Sequence, residues 1–124
     1  MNLGLRTCVY TVSDMEAAKA WYAEVFKTEA YFDEPYYIGF SIGGYELGLL
    51  PDPEPEKEKT ANVNVYWGVE NAYQAFERLL AMGASVQEEP KDVGEGIILA
   101  TVRDPWGNVL GVIDNQHFQL PGQD

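Results

Sequence analysis

Two segments of this chain are written to one template. Gly44-Tyr45-Glu46-Leu47-Gly48-Leu49-Leu50 parallels Gly107-Asn108-Val109-Leu110-Gly111-Val112-Ile113, each reading Gly, two residues, Leu, Gly and two aliphatics. The strand and helix that open each half match more loosely, about 57 positions apart. Between the halves runs Pro51-Asp52-Pro53-Glu54-Pro55-Glu56-Lys57-Glu58-Lys59-Thr60. Prolines at alternate positions deny it helix and central strand, and its charges favour solvent. The whole chain is 124 residues, the length of one ordinary domain. A single domain of two repeats follows, with a first module over 1–50, a linker over 51–60, a second module over 61–115 and a tail over 116–124.

Each half predicts the same succession of elements. In the first, β-branched and aromatic residues mark a strand over Thr7 to Val12. Ser13-Asp14-Met15-Glu16 has the form of a capping box with Ser13 as N-cap. Met15, Ala18, Tyr22, Val25 and Phe26 then share one helical stripe. Strands are expected near Glu29 to Phe32, Tyr36 to Ile42 and Tyr45 to Leu50, with Gly43-Gly44 as a hairpin turn. The second half predicts a strand over Asn62 to Val69. A helix follows, with Ala72, Ala75, Phe76, Leu79 and Met82 inward and Gly83 as its stop. Strands near Ser85 to Glu88, Ile97 to Arg103 and Asn108 to Asp114 complete it, the last two joined by the turn Asp104-Pro105-Trp106-Gly107. Both halves read βαβββ, an α+β pattern.

Composition removes several classes of function. The 20 acidic and 8 basic residues leave a net charge of −12, which repels phosphate backbones and anionic lipid, so neither nucleic acid nor membrane is an expected partner. One cysteine and one histidine, Cys8 and His117, exclude an intrachain disulfide framework and any site needing two histidines from one chain. The amino-terminal residues lack the basic start and apolar stretch of a signal peptide, and the expected location is cytoplasmic.

Paired βαβββ modules, the strand exit Val12-Ser13-Asp14 with Trp21-Tyr22 after it, and the turn Asp104-Pro105-Trp106-Gly107-Asn108-Val109-Leu110 together resemble the vicinal oxygen chelate superfamily. That superfamily includes glyoxalase I, extradiol dioxygenases, fosfomycin-resistance enzymes and bleomycin-resistance proteins. The resemblance implies two modules forming a curled mixed sheet with helices on its outer face, a cleft between cups, and a homodimer. It also implies a divalent metal held by side chains from the first and last strand of each module. Those positions fall here on Thr7, Gly48, Asn64 and Gly111. Glycine has no side chain, and neutral hydroxyl or amide oxygens are poor sole ligands for a dication. No metal or other cofactor is therefore expected.

Strand alternation sorts the remaining candidates. Thr7 and Val9 share one face of the first strand, and Glu46 and Gly48 the matching face of the last strand in that half. Asn64, Tyr66 and Gly111 are their counterparts in the second half. Thr7 and Tyr66 offer hydrogen bonds to a guest, Val9 and Phe40 apolar contact, and Gly48 and Gly111 volume, either for the guest or for a side chain from elsewhere, with Asn64 counted among the ligand-binding positions as the counterpart of Thr7. Trp106 projects from its turn as a gate or a surface residue. Glu46 is the one ionisable side chain placed inward and the one candidate general base. His117 reads as a tail residue, Cys8 as an inert core thiol, and Asp52, Glu54, Glu56 and Glu58 as solvated.

The reading that results is a glyoxalase- and bleomycin-resistance-like protein that binds a small organic ligand, cationic in keeping with the acidity, in a metal-free cleft. The alternative is a lyase, isomerase or oxidoreductase of the same superfamily with an atypical active site, Glu46 and Tyr66 moving protons. A dimer whose cleft is filled by its own side chains is a third.

Overall fold

The computed structural model describes residues 2–55 and 57–118. The chain divides into two units, Met1–Lys59 and Thr60–Asp124. In the first, β1 (Thr7–Val12) leads to α1 (Met15–Phe26), then β2 (Phe32–Glu34), β3 (Tyr37–Ile42) and β4 (Tyr45–Pro51). In the second, β5 (Tyr66–Gly68) leads to α2 (Ala72–Ala81), then β6 (Ser85–Asp92), β7 (Ile98–Arg103) and β8 (Val109–Asp114). The sheets have matching orders, β1-β4-β3-β2 and β5-β8-β7-β6. In each the opening strand pairs in parallel with the last, and the others pair antiparallel. The fold is α+β, with one mixed four-stranded sheet and one helix per unit.

Local chemistry sets the ends of these elements. The N-cap of α1 is Asp14, one residue later than the capping-box reading, and its carboxylate accepts the Ala17 N–H at 3.0 Å. Asn71 does the same for α2 through the Gln74 N–H at 3.0 Å. Two consecutive glycines with positive φ, Gly43 and Gly44, turn β3 into β4 as a tight hairpin requires. The Asp104 turn is held by its own side chain. That carboxylate is buried and accepts from the Trp106 N–H, the Asn108 N–H and the Asn108 side-chain amide, at 2.9, 2.8 and 3.0 Å.

Register then decides what is buried. Cys8, Tyr10 and Val12 of β1 share a face with Leu47 and Leu49 of β4 and with Ile38 and Phe40 of β3. α1 packs against β3 and β4, its Tyr22 ring 5.9 Å from that of Tyr10. Tyr22, Phe40, Leu47 and Leu49 are wholly buried, each stabilising the fold by about 2 kcal/mol through apolar burial. In the second unit Ala100, Val102, Leu110 and Val112 form the equivalent face, and α2 lies against β6, β7 and β8 with Phe76 and Leu79 buried.

Several expectations move. The strand expected over Asn62 to Val69 shrinks to Tyr66–Gly68. Asn62 folds back on Thr60, its N–H donating to the Thr60 hydroxyl at 3.2 Å, and sheet pairing starts only where the Val65 carbonyl accepts from the Gly111 N–H. β2 begins at Phe32 rather than at Glu29, and β6 runs on to Asp92 past irregularities at Glu88. In the Pro-rich connector, Asp52 is not solvated. Its side chain is 8% exposed, lies 3.4 Å from the Lys59 ammonium and accepts the Glu54 N–H at 2.8 Å, while Lys59 also donates to the Thr11 carbonyl. Glu56 lies outside the described residues, as does the tail expected over 116–124 beyond Phe118.

Candidate functional site

In the first unit, the sheet face turned away from α1 carries the rows Thr7–Glu46–Ser41 and Val9–Gly48–Gly39 across β1, β4 and β3. The second row has no side chain on either β3 or β4. Its backbone floor is covered instead by two tyrosines. A methyl at position 48 would lie 2.6 Å from Cζ of Tyr37, and one at position 39 would lie 3.3 Å from the rings of both Tyr31 and Tyr37. The Tyr37 hydroxyl donates to Oε2 of Glu46. Burial pushes the Tyr37 phenol above its ordinary value, so it stays protonated and remains the donor of that bond.

Beside this pair opens a hollow of about 480 Å³, lined by Arg6, Thr7, Tyr31, Ser41, Tyr45 and Glu46. Glu46 belongs to both features: it holds the phenol and it faces the hollow. Arg6, the basic lining residue, directs Nη1 at the carbonyls of Leu3 and Leu5, at 2.6 and 3.3 Å. The arrangement can accept a hydrogen bond or a positive charge at Glu46 and offer aromatic surface at Tyr31.

The second unit repeats the bare position with a different filling. Gly111 pairs with Tyr66 and Thr101 in one row. A methyl at position 111 would meet the Val65 carbonyl oxygen at 2.5 Å and Cδ1 of Tyr66 at 2.7 Å. Thr101, 1% exposed, has its hydroxyl buried with no hydrogen-bond partner among the described residues.

Thr7, Val9, Glu46 and Gly48 share the open face of the first sheet, and Tyr66 and Gly111 meet on the matching face of the second. Phe40 does not belong with them. Directly opposite Leu47, it is wholly buried on the helix-covered face, because β3 alternation puts Tyr37, Gly39 and Ser41 on the other side. Asn64 is exposed and precedes β5, so alternation gives it no facing. Trp106 is half-buried in its turn. His117 is exposed, its ring 3.1 Å from the Glu95 carbonyl. Cys8 is half-buried, and burial pushes its thiol up despite a hydrogen bond with Tyr10. Sequence reasoning missed Tyr37, Gly39 and Ser41 as a set. The Tyr-x-Gly-x-Ser spacing of β3, read with a period of two, carried the signal.

The four positions at which metal ligands were implied do not fit a divalent ion. Thr7 and Asn64 bring only neutral oxygens, the side-chain space at Gly48 belongs to the Tyr37 phenol, and that at Gly111 to Tyr66 and the Val65 carbonyl. Among the described residues no three His, Cys, Asp or Glu side chains come together.

Comparison with solved structures gives the same fold. A glyoxalase-related enzyme from Fulvimarina pelagi superposes with a TM-score of 0.76 at 18% identity, over 98% of this chain and 95% of that one. Lactoylglutathione lyase from Agrobacterium tumefaciens gives 0.70 at 20% identity, over 96% and 100%. TioX from Micromonospora sp. ML1 gives 0.68 at 20%, over 89% and 97%. Comparison with curated proteins gives no significant match. The family model described as Glyoxalase/Bleomycin resistance protein/Dioxygenase superfamily matches residues 4–112. The two βαβββ units, their bare last-strand glycines and this match together make the chain a member of the glyoxalase/bleomycin resistance protein/dioxygenase superfamily.

Proposed function

We propose that this protein binds a small cationic organic molecule, without a metal, in the hollow of its first unit. The observation that carries the reading is the position of Glu46, a carboxylate lining, with Tyr31, an open space of about 480 Å³. A carboxylate beside an aromatic ring attracts a cation by charge and by the ring quadrupole together. The net charge of −12 favours the approach of such a guest over long range. Arg6 opposes it locally, with its guanidinium hydrogen-bonded to two backbone carbonyls. A volume of this size holds a molecule of drug-like dimensions. The superfamily's description spans binding proteins and enzymes, and the unfit metal positions favour the former for this chain.

A thermal-shift series with benzamidine, tryptamine and larger cationic aromatics tests this. A guest at a hundredfold excess over its Kd stabilises by about 2.7 kcal/mol, well within detection. Stabilisation by a cationic compound, lost in Glu46→Gln, is the expected result. Failure of every cationic compound to raise the melting temperature refutes the reading.

A further inference from the structure

We propose that Tyr37 is an internal stand-in for the guest. Next to the hollow, and sharing Glu46 with it, lies a slot for a planar ring bearing an O–H or N–H donor, lying on the bare backbone of Gly39 and Gly48 with its donor on Glu46. The inference rests on the hollow being a binding site and adds to it the chemistry of the ring that enters.

Three observations converge. Gly39 and Gly48 are direct partners across β3 and β4, so two adjacent strands leave a flat patch of backbone without a Cβ. Over Gly48 the Tyr37 ring lies so close that no side chain fits beneath it, and over Gly39 the same ring is joined by that of Tyr31, each 3.3 Å from the place of a Cβ. The ring's polar end donates to a carboxylate that lines an open hollow. Packing alone explains a ring on a glycine, but it does not call for a polar end tied to a group facing open space. A guest ring that takes the place of Tyr37 exchanges its own donor for the phenol on the same carboxylate, so that hydrogen bond is replaced and not lost. Tyr37 is only half-buried, and its outward neighbour is the exposed aromatic Phe32, with ring centroids 6.1 Å apart. Tyr31, 62% exposed, stands over Gly39 and would cover the outer face of the entering ring.

A plug that must move lowers apparent affinity by the fraction of time the slot is open. Weakening the plug therefore strengthens binding, the opposite of what the loss of an ordinary contact residue does. The test follows the Gly39 and Gly48 amide resonances of the full-length protein during titration with p-cresol and with toluene. Tyr37→Phe keeps the ring and removes its bond to Glu46, and p-cresol is expected to bind it about tenfold more tightly than wild type. Tyr37→Ala opens the slot outright. It is expected to bind p-cresol more tightly still and to prefer it to toluene at least fivefold, a preference lost when Glu46→Gln is added. Equal or weaker binding of p-cresol to Tyr37→Phe overturns the proposal, and this variant keeps the test decisive should Tyr37→Ala not fold. Binding to Tyr37→Ala without preference for the donor also overturns it. A cationic aromatic that stabilises wild type and Tyr37→Phe alike sinks the slot and leaves the binding function standing. Selective capture of p-cresol by Tyr37→Ala with no cationic hit in the thermal series does the reverse.

Discussion

The phenol ring of Tyr37 occupies the space in which a side chain at Gly48 would begin, with Cζ 2.6 Å from the place of the missing Cβ. The corresponding glycine of the second unit, Gly111, is blocked by different material, the Val65 carbonyl oxygen at 2.5 Å, with the Tyr66 ring behind it. A tyrosine tip can swing aside, whereas the Val65 carbonyl is fixed by the parallel pairing of β5 with β8, where it accepts the Gly111 N–H at 2.9 Å.

That difference predicts unequal costs for the same substitution. Gly48→Ala displaces Tyr37 and breaks its bond to Glu46, a destabilisation of about 1–2 kcal/mol. Gly111→Ala drives a methyl into backbone and costs about 3 kcal/mol or more. Urea denaturation of both variants measures the two costs. Adding Tyr37→Ala to Gly48→Ala should recover part of the loss, a coupling readable in a double-mutant cycle, whereas Tyr66→Ala should not rescue Gly111→Ala. Equal costs, or rescue in both units, would contradict the contrast.

Asp104 anchors its turn with three accepted hydrogen bonds while 3% exposed. Replacement by Ala leaves the Trp106 N–H, the Asn108 N–H and the Asn108 amide without that acceptor, a loss of about 3 kcal/mol. Asp104→Asn keeps the shape and an acceptor oxygen, and its cost should be about half as large. Chemical denaturation of the pair gives the ratio, and near-equal stability of Asp104→Ala and wild type would show that the turn stands without its carboxylate.

The architecture was legible because it is written in period and punctuation. Met15, Ala18 and Tyr22 on one stripe and Gly43-Gly44 between two apolar strands leave little freedom, and both elements fold as their patterns require. Alternation also placed Thr7, Val9, Glu46 and Gly48 on one face correctly, since a period of two cannot slip without exposing Leu47 and Leu49. It failed where a tertiary choice decided. The facing of Phe40 depends on the register of β3 against β4, which is fixed by the hairpin and not by the composition of β3. Asn64 lost its strand because Asn62 turns back on Thr60. Asp52 looked like one more solvated acid, but Lys59, seven residues on, folds back to lie 3.4 Å from it. Whether the space above Gly48 belonged to a guest or to the protein turned on Tyr37, whose tie to Glu46 depends on the β3–β4 register as well.

Thr101 holds a buried hydroxyl with no hydrogen-bond partner among the described residues, in register with Gly111 and Glu88. Desolvating a hydroxyl without a partner costs about 1–3 kcal/mol, and an isosteric methyl removes that cost. Thr101→Val should therefore raise stability by about 1 kcal/mol in thermal or urea unfolding. A loss of stability instead would mean that the hydroxyl is hydrogen-bonded in solution.

Alkaline pH gives the last test, and its sign follows from two half-buried acids. Burial raises the Cys8 thiol above its ordinary value of 9.0, the Tyr10 hydrogen bond only partly offsetting it, and burial raises the Tyr37 phenol above 10.0. In both, the folded protein holds its proton more tightly than the unfolded chain does. Their contributions are complete below the unfolded values and are lost as pH climbs through them toward the folded ones. Lys19 acts with the same sign, raised chiefly by its hydrogen bond to Asp33 and next by that carboxylate's charge, so that its pair with Asp33 weakens above its ordinary 10.5. The melting temperature should thus fall steadily between about pH 9 and 11. Tyr37→Phe and Cys8→Ala, each compared with its own value at pH 8, should flatten that fall, Cys8→Ala at the lower end of the window and Tyr37→Phe at the upper. An unchanged slope in both variants would assign the alkaline transition to other groups.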